Sequence, residues 1–306
     1  MESGEAGKVD HMANTPANPS ADPAYRHVLV PLDGSDLAAG AVGTARALAE
    51  RLGADLTAVS AASGPEDVAA MRAHAAEVLG SGPDDPRIEV VTSDEPDEVI
   101  AQRAADLGAC LVCMSTHGRG RVAGAVMGSV ARRVVERMGE PVVAVGPLVG
   151  RPTEAREAPL PFSSDHIVAC VDGGAPSELV LPVAAAWAKR LGTALTILTV
   201  AEPSPPPVRP GATWHRRHGP NADADDYLAE LAEAWRAQVP ELRTQVVYDP
   251  IGPADGLRSY LRDHPTDLLA VTSHARSGLQ RLVLGSGAAS IIAASTAPVL
   301  VVPLGG

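Results

Sequence analysis

One pattern occurs twice in this chain, and it restricts the fold to two related halves. The first copy reads Ser115-Thr116-His117-Gly118, nine residues, then Gly128-Ser129. The second reads Thr272-Ser273-His274-Ala275, nine residues, then Gly285-Ser286. An apolar run precedes each copy (Leu111-Val112-Cys113-Met114; Leu268-Leu269-Ala270-Val271), and a helix-like run follows. A strand, a small-residue loop and a helix opening on Gly-Ser form a phosphate cradle. Small residues let backbone N–H groups approach an anion, and the helix N-terminus adds positive field.

The duplication extends beyond this pattern. The run from His27 to Asp33-Gly34 parallels that from His166 to Asp172-Gly173. Arg51-Leu52-Gly53 parallels Arg190-Leu191-Gly192, and Pro141-Val142-Val143 parallels Pro298-Val299-Leu300. The offset is 139 at the aspartates (172 − 33) and 157 at the later glycines (285 − 128), so the second copy carries about 18 more residues between these points. A period this long means two domains rather than a solenoid, as does a length of 306 residues.

Each copy alternates strand and helix. The first predicts strands near 27–32, 55–61, 87–92, 110–115 and 142–145. Helices are expected over about 36–52, with Ser35 as N-cap, near 66–80, from Pro96, and over 128–138. The second predicts strands near 166–171, 194–200, 243–248, 267–272 and 298–302. Apolar strands alternating with helices mean a parallel α/β sheet covered on both faces. Residues 1–25 read as a disordered tail and 148–165 as a linker between domains at 26–147 and 166–304. The second copy's insertion carries a proline run from Pro203 to Pro210 and the cluster Trp214-His215-Arg216-Arg217-His218, which reads as a solvated loop. The last strands, Val142–Val145 and Val299–Val302, are expected to pair, because an open apolar edge invites aggregation.

With these residues in this order, twice, the chain resembles the universal stress protein family in its tandem two-domain form. The resemblance implies two open parallel five-stranded Rossmann-like sheets, each ordered 3-2-1-4-5, related by tandem duplication. Ligand would bind beyond the strand ends where strands one and four diverge, with Asp33 and Ser115 on opposite lips. The resemblance further implies ATP as ligand. Gly118 and the backbone after it would wrap the phosphates, Gly128 would allow close approach of the helix start, and Ser129 would offer a hydroxyl and an N–H. Val59 would meet adenine through its backbone. Asp33 would bond the nucleotide or help hold Mg2+. His117 recurs as His274, which suggests a loop role, and Arg119 reads either as a neutraliser of phosphate or as a solvated loop arginine. The second site would comprise Asp172, Val200, His274, Gly285 and Ser286.

The family pattern is Gly-x2-Gly-x9-Gly-Ser/Thr, and both copies depart from it. The first has Ser115 at the first glycine; the second has Thr272 and Ala275 at the first two. The second site is therefore expected to be the weaker.

Net charge is −12 and aromatic residues are 3% of the chain. The charge argues against nucleic-acid and acidic-membrane partners, and the scarcity of aromatics removes base-stacking platforms. No segment reads as a transmembrane helix or signal peptide, so a cytoplasmic protein is expected. Cys110 and Cys113 resemble a C-x-x-C motif, but in a strand residues three apart face opposite sides, which argues for core. The leading expectation is an ATP-binding stress-response regulator, not an enzyme, with an adenine nucleotide and an unidentified protein as partners and a homodimer left open. No Walker G-x-x-x-x-G-K-[ST] run occurs. The rivals are a slow ATP-hydrolysing enzyme on the same fold and an interaction module with decayed sites.

Overall fold

The computed structural model describes residues 24–118, 127–150, 162–163, 165–201, 224–273 and 285–304. The expected tail, the insertion 202–223 and most of the expected linker lie outside the described residues.

The first half contains strands β1 (His27–Pro31), β2 (Asp55–Ala62), β3 (Ile88–Thr92), β4 (Cys110–Ser115) and β5 (Val142–Val145). Its helices are α1 (Asp36–Ala39), α2 (Val42–Leu52), α3 (Pro65–Leu79), α4 (Pro96–Leu107) and α5 (Ser129–Arg137). The second half contains β6 (His166–Cys170), β7 (Ala194–Ala201), β8 (Glu241–Tyr248), β9 (Leu268–Thr272) and β10 (Val299–Val302). Its helices are α6 (Ala175–Glu178), α7 (Val180–Leu191), α8 (Ala224–Trp235), α9 (Pro253–Asp263) and α10 (Ser286–Ala294). Local chemistry sets many of these ends. Proline begins α3, α4 and α9, and left-handed Gly53, Gly80 and Gly192 close α2, α3 and α7. The single helix expected over 36–52 is two: α1 ends at Gly40 and α2 restarts at Val42. α6 and α7 repeat this break.

The expected pairing of the two last strands is present, and it joins the two expected five-stranded sheets into one. The strands form one ten-stranded sheet in the order β3-β2-β1-β4-β5-β10-β9-β6-β7-β8. Every neighbouring pair is parallel except β5 and β10, which run antiparallel with Val299 opposite Ala144, Leu300 opposite Val143 and Val301 opposite Val142. The reason is burial: all residues of both strands are inaccessible to solvent, so separation would expose two apolar edges together.

The core continues across this seam on both faces. Alternation puts Val143, Val145, Leu300 and Val302 in one layer and Val142, Ala144, Val299 and Val301 in the other. Cys113 lies in the first layer and Cys110 in the second. Burial pushes the Cys110 thiol up to about 11 and that of Cys113 further, so both behave as core residues. Two equivalent arginines also cross between halves. Arg190 donates to the carbonyl of Leu52 at the end of α2 (3.0 Å), while Arg51 reaches the Phe162 carbonyl and the Asp165 carboxylate (2.5 and 2.8 Å). Among the described residues no helix is long and apolar enough to cross a membrane.

Candidate functional site

A cleft of about 250 Å³ opens where β1 and β4, neighbours in the sheet, lead into loops on either side. It brings together Asp33, Val59, Ser115, His117, Gly118, Gly128 and Ser129. Arg119 lies outside the described residues. A larger hollow of about 510 Å³ lies at the opposite ends of the first half's strands, lined chiefly by alanines, glycines and Met138. Tyr25, Arg137 and Glu140 also line it, but Arg137 is committed to Asp97 and Glu98, and the smaller cleft, with its helix N-terminus and small-residue loop, is the better candidate.

Asp33 leaves β1 through Gly34, whose φ of +80° suits glycine. The Asp33 Oδ1 accepts the Ser35 N–H (3.0 Å) and hydroxyl (2.6 Å), and Ser35 Oγ in turn accepts the Ala38 N–H as N-cap of α1 (3.2 Å). One oxygen of Asp33 therefore builds the loop. The other faces Gly118: a Cβ on Gly118 would collide with Oδ2. A side chain at this position would require the Asp33 carboxylate to move.

The far lip begins at Ser115. Its hydroxyl donates to the His117 carbonyl (2.8 Å) and holds the turn where the family pattern has glycine. The Thr116 hydroxyl bonds His117 Nδ1 (2.9 Å). Gly128 then returns the chain, its N–H donating to the Thr116 carbonyl at 2.7 Å. A Cβ on Gly128 would stand 3.2 Å from that oxygen, so proximity selects glycine here; its φ of −67° is ordinary. Gly128 is the N-cap of α5 and supplies no side-chain acceptor. The first-turn N–H groups of Ser129, Val130 and Ala131, all residues lining the cleft, have no intrahelical partners. They give the cleft a positive end without a cationic side chain among its described lining residues.

Register relates the strand-two positions of the two halves. The Val59 carbonyl already accepts the Leu32 N–H (2.9 Å). The equivalent bond in the second half runs from Val171 to Leu198 (2.9 Å), so Val59 corresponds to Leu198 and not to Val200. Val200 corresponds to Ala61 by the offset of 139 that relates the paired strands, His27 with Asp55 and His166 with Ala194. Backbone alternation turns the Ala61 N–H and C=O toward the space that β1 vacates after Pro31, and Ala61 lines the cleft. Met71, Val99 and Ile100 of α3 and α4 complete this wall. The same offset relates Ala61 to Val200 in the sequence.

The second half repeats the frame with different details. Gly173 has φ +80° and Asp172 Oδ1 accepts the Gly174 N–H (3.0 Å). Ser177 stabilises the loop, receiving the Asp172 N–H (3.0 Å) and donating to the Gly174 carbonyl (2.7 Å). Gly285 caps α10 with φ −63°, close to the geometry of Gly128, and Ser286 is the first residue of that helix. The Ser273 N–H donates to Val302 as Thr116 does to Val145 (2.9 and 3.0 Å). Val200 lies close to α9: a Cβ on Gly256 would fall 2.7 Å from its Cγ1. The first half places the bulk oppositely, with Ala61 on the strand and Val99 on the helix. His274 and Ala275 lie outside the described residues.

Comparison with known proteins matches this arrangement to one family. The model of the universal stress protein family matches residues 24–146 and again 163–303. Universal stress protein Rv1996 of Mycobacterium tuberculosis is 29% identical over 193 residues, which span 62% of this chain and 58% of that protein. Universal stress protein Rv2005c of the same organism is 27% identical, over 62% of this chain and 61% of its own length. The match thus spans less than two thirds of these relatives. Solved structures of universal stress proteins from Pseudomonas aeruginosa and Archaeoglobus fulgidus share the fold. Both are 17% identical with TM-score 0.56; they cover 92% and 90% of this chain, and 94% and 97% of their own. A universal stress protein in complex with cAMP matches 40% of this chain and 96% of its own at 28% identity, with TM-score 0.33. With most of its length matched in two successive segments, the chain belongs to the universal stress protein family.

Proposed function

We propose that the protein is an adenine-nucleotide-binding regulator of a stress response, with ATP held mainly in the first half. The observation that carries this reading is the open N-terminus of α5 facing Gly118 and Asp33 across one cleft. In this reading the first-turn N–H groups and the Ser129 hydroxyl receive phosphate. The Ala61 backbone, with one donor and one acceptor toward the vacated space, reads the edge of adenine. Asp33 supplies one carboxylate, with Oδ1 committed to Ser35. Among the described residues no cluster of three or more metal-ligating side chains occurs. Mg2+ therefore fits only as an ion carried largely by the phosphates and water. With a single carboxylate among the described lining residues, we read the cleft as a binder whose occupancy alters a partner surface, rather than as a catalyst. The protein partner and the cytoplasmic location belong to the same proposal.

Calorimetric titration of the full chain with ATP, with cAMP and AMP as competitors, tests it. The expected result is one strong site that Gly128→Val weakens by at least tenfold, about 1.4 kcal/mol. Unchanged ATP affinity in a folded Gly128→Val protein overturns the assignment.

A further inference from the structure

The two halves differ sharply at the start of their central strands, away from the strand ends that form the first cleft. In the second half His166 opens β6 and is only 7% exposed. Its Nδ1 lies 3.1 Å from the Pro265 carbonyl and its Nε2 lies 2.8 Å from the Thr196 hydroxyl. A carbonyl only accepts, so Nδ1 carries the proton and Nε2 accepts from Thr196. The buried Asp267 carboxylate accepts the His166 backbone N–H (3.2 Å), not a ring proton. Both ring nitrogens are thus satisfied in the neutral form, within a nearly dry site. In the first half His27 occupies this position, half-buried, and faces Cys110 where His166 faces Asp267.

We propose that His166 is an acid-sensitive latch that holds the second half closed when neutral and releases it, ahead of the first half, when protonated. Protonation would place a second N–H against the Thr196 hydroxyl, forcing that group to give up its donor role. The charge would sit among mostly buried atoms. The groups facing it are Asp267 at the start of β9, Arg243 on β8, and His264 and Tyr260 of α9 and the turn after it. Tyr260 stacks on His264 with ring centroids 4.1 Å apart. Arg243 and His264 oppose the added proton and Asp267 favours it, while burial has the largest influence and keeps the imidazole below its ordinary range. The sign follows. A histidine depressed by folding stabilises the fold fully above its unfolded pKa, about 6.5, and loses that contribution as pH falls below it.

The test is hydrogen exchange of the full-length protein at pH 7.5 and pH 5.0, corrected for intrinsic exchange. The first half serves as internal reference. Amides of 166–170 and 268–272 should open roughly several-fold more at pH 5.0 than at pH 7.5, the direction expected of a histidine depressed by folding. Their counterparts in 27–31 and 110–115 should change little. NMR titration of the His166 ring should give a pKa below 6.5. His166→Phe should remove the difference between halves whatever its effect on stability. Thr196→Val, which removes the hydroxyl partner, covers the case in which His166→Phe fails to fold; it should speed exchange at pH 7.5 and reduce the acid response. Equal response of both halves to acid, or a His166 ring that titrates above 6.5, overturns the proposal.

Discussion

The two halves share a backbone plan and hold it together by different means. In the first, α4 and α5 are joined by charge: Asp97, 3% exposed, receives Arg133 and Arg137, each at 3.0 Å. In the second, the positions equivalent to Asp97, Arg133 and Arg137 are Ala254, Ser290 and Ala294. There α9 meets α10 through apolar groups such as Leu257, Ala288 and Ile292. At the strand ends Asp33 and Asp172 each hold their own loop, Asp33 through Ser35 and Asp172 through Gly174. At the strand starts the second half has the buried polar cluster and the first does not. Backbone geometry can thus survive duplication while side-chain function is redistributed, because frame bonds such as Leu32 to Val59 and Val171 to Leu198 involve no side chain.

The comparison breaks most directly at what the halves have in common. Val143 and Leu300 face one another at the seam with no solvent exposure. Val143→Asp would bury a carboxylate there at a cost of several kcal/mol. Circular dichroism should show both halves losing cooperative melting together; loss of the first half alone would mean that the shared core does not couple them.

Next in size is the ionic joint. Asp97→Ala leaves Arg133 and Arg137, both nearly half exposed, without their shared acceptor. Exposure moderates the loss, so destabilisation of about 1–3 kcal/mol is expected, seen as faster exchange in α4 and α5. Asp255→Ala in α9, whose salt bridge to Arg258 is exposed, should change stability by less than about 0.5 kcal/mol.

A third contrast concerns ligand. Asp33→Ala should lower ATP affinity about tenfold, and Asp172→Ala should leave the strong site untouched. Equal losses in calorimetry would place nucleotide in both halves. The smallest contrast is at the caps. Ser35→Ala removes the N-cap of α1 and should cost about 1 kcal/mol. Gly174 stands at the equivalent position, and Gly174→Ser should gain little, because Ser177 already stabilises that loop. Urea midpoints measure both.

Much of this was legible in the sequence because duplication acts as a ruler. The strands, the capping role of Ser35 and the convergence of Asp33, Ser115, Gly118 and Gly128 follow from two copies read side by side. The place of Ala61 in the cleft wall was not legible, because no side chain advertises a backbone N–H and C=O left over when a neighbouring strand departs. The pairing of the last strands was legible as well; its consequence, one continuous sheet, was not drawn from it. Val142–Val145 and Val299–Val302 announce apolar edges, but an edge satisfied by its partner becomes an interior strand, and two sheets become one. The His166 cluster was hidden because its parts, Thr196, Pro265 and Asp267, are up to 101 residues from it in sequence.

The antiparallel seam between β5 and β10 also sets the orientation of the whole molecule. Since strand direction reverses there, the mouth beyond β1 and β4 and the corresponding mouth beyond β6 and β9 open on opposite rims of the slab. The rim that carries the cleft loops of the first half also carries the strand starts of the second, including the His166 corner. The molecule therefore has two poles, each made of strand ends from one half and strand starts from the other.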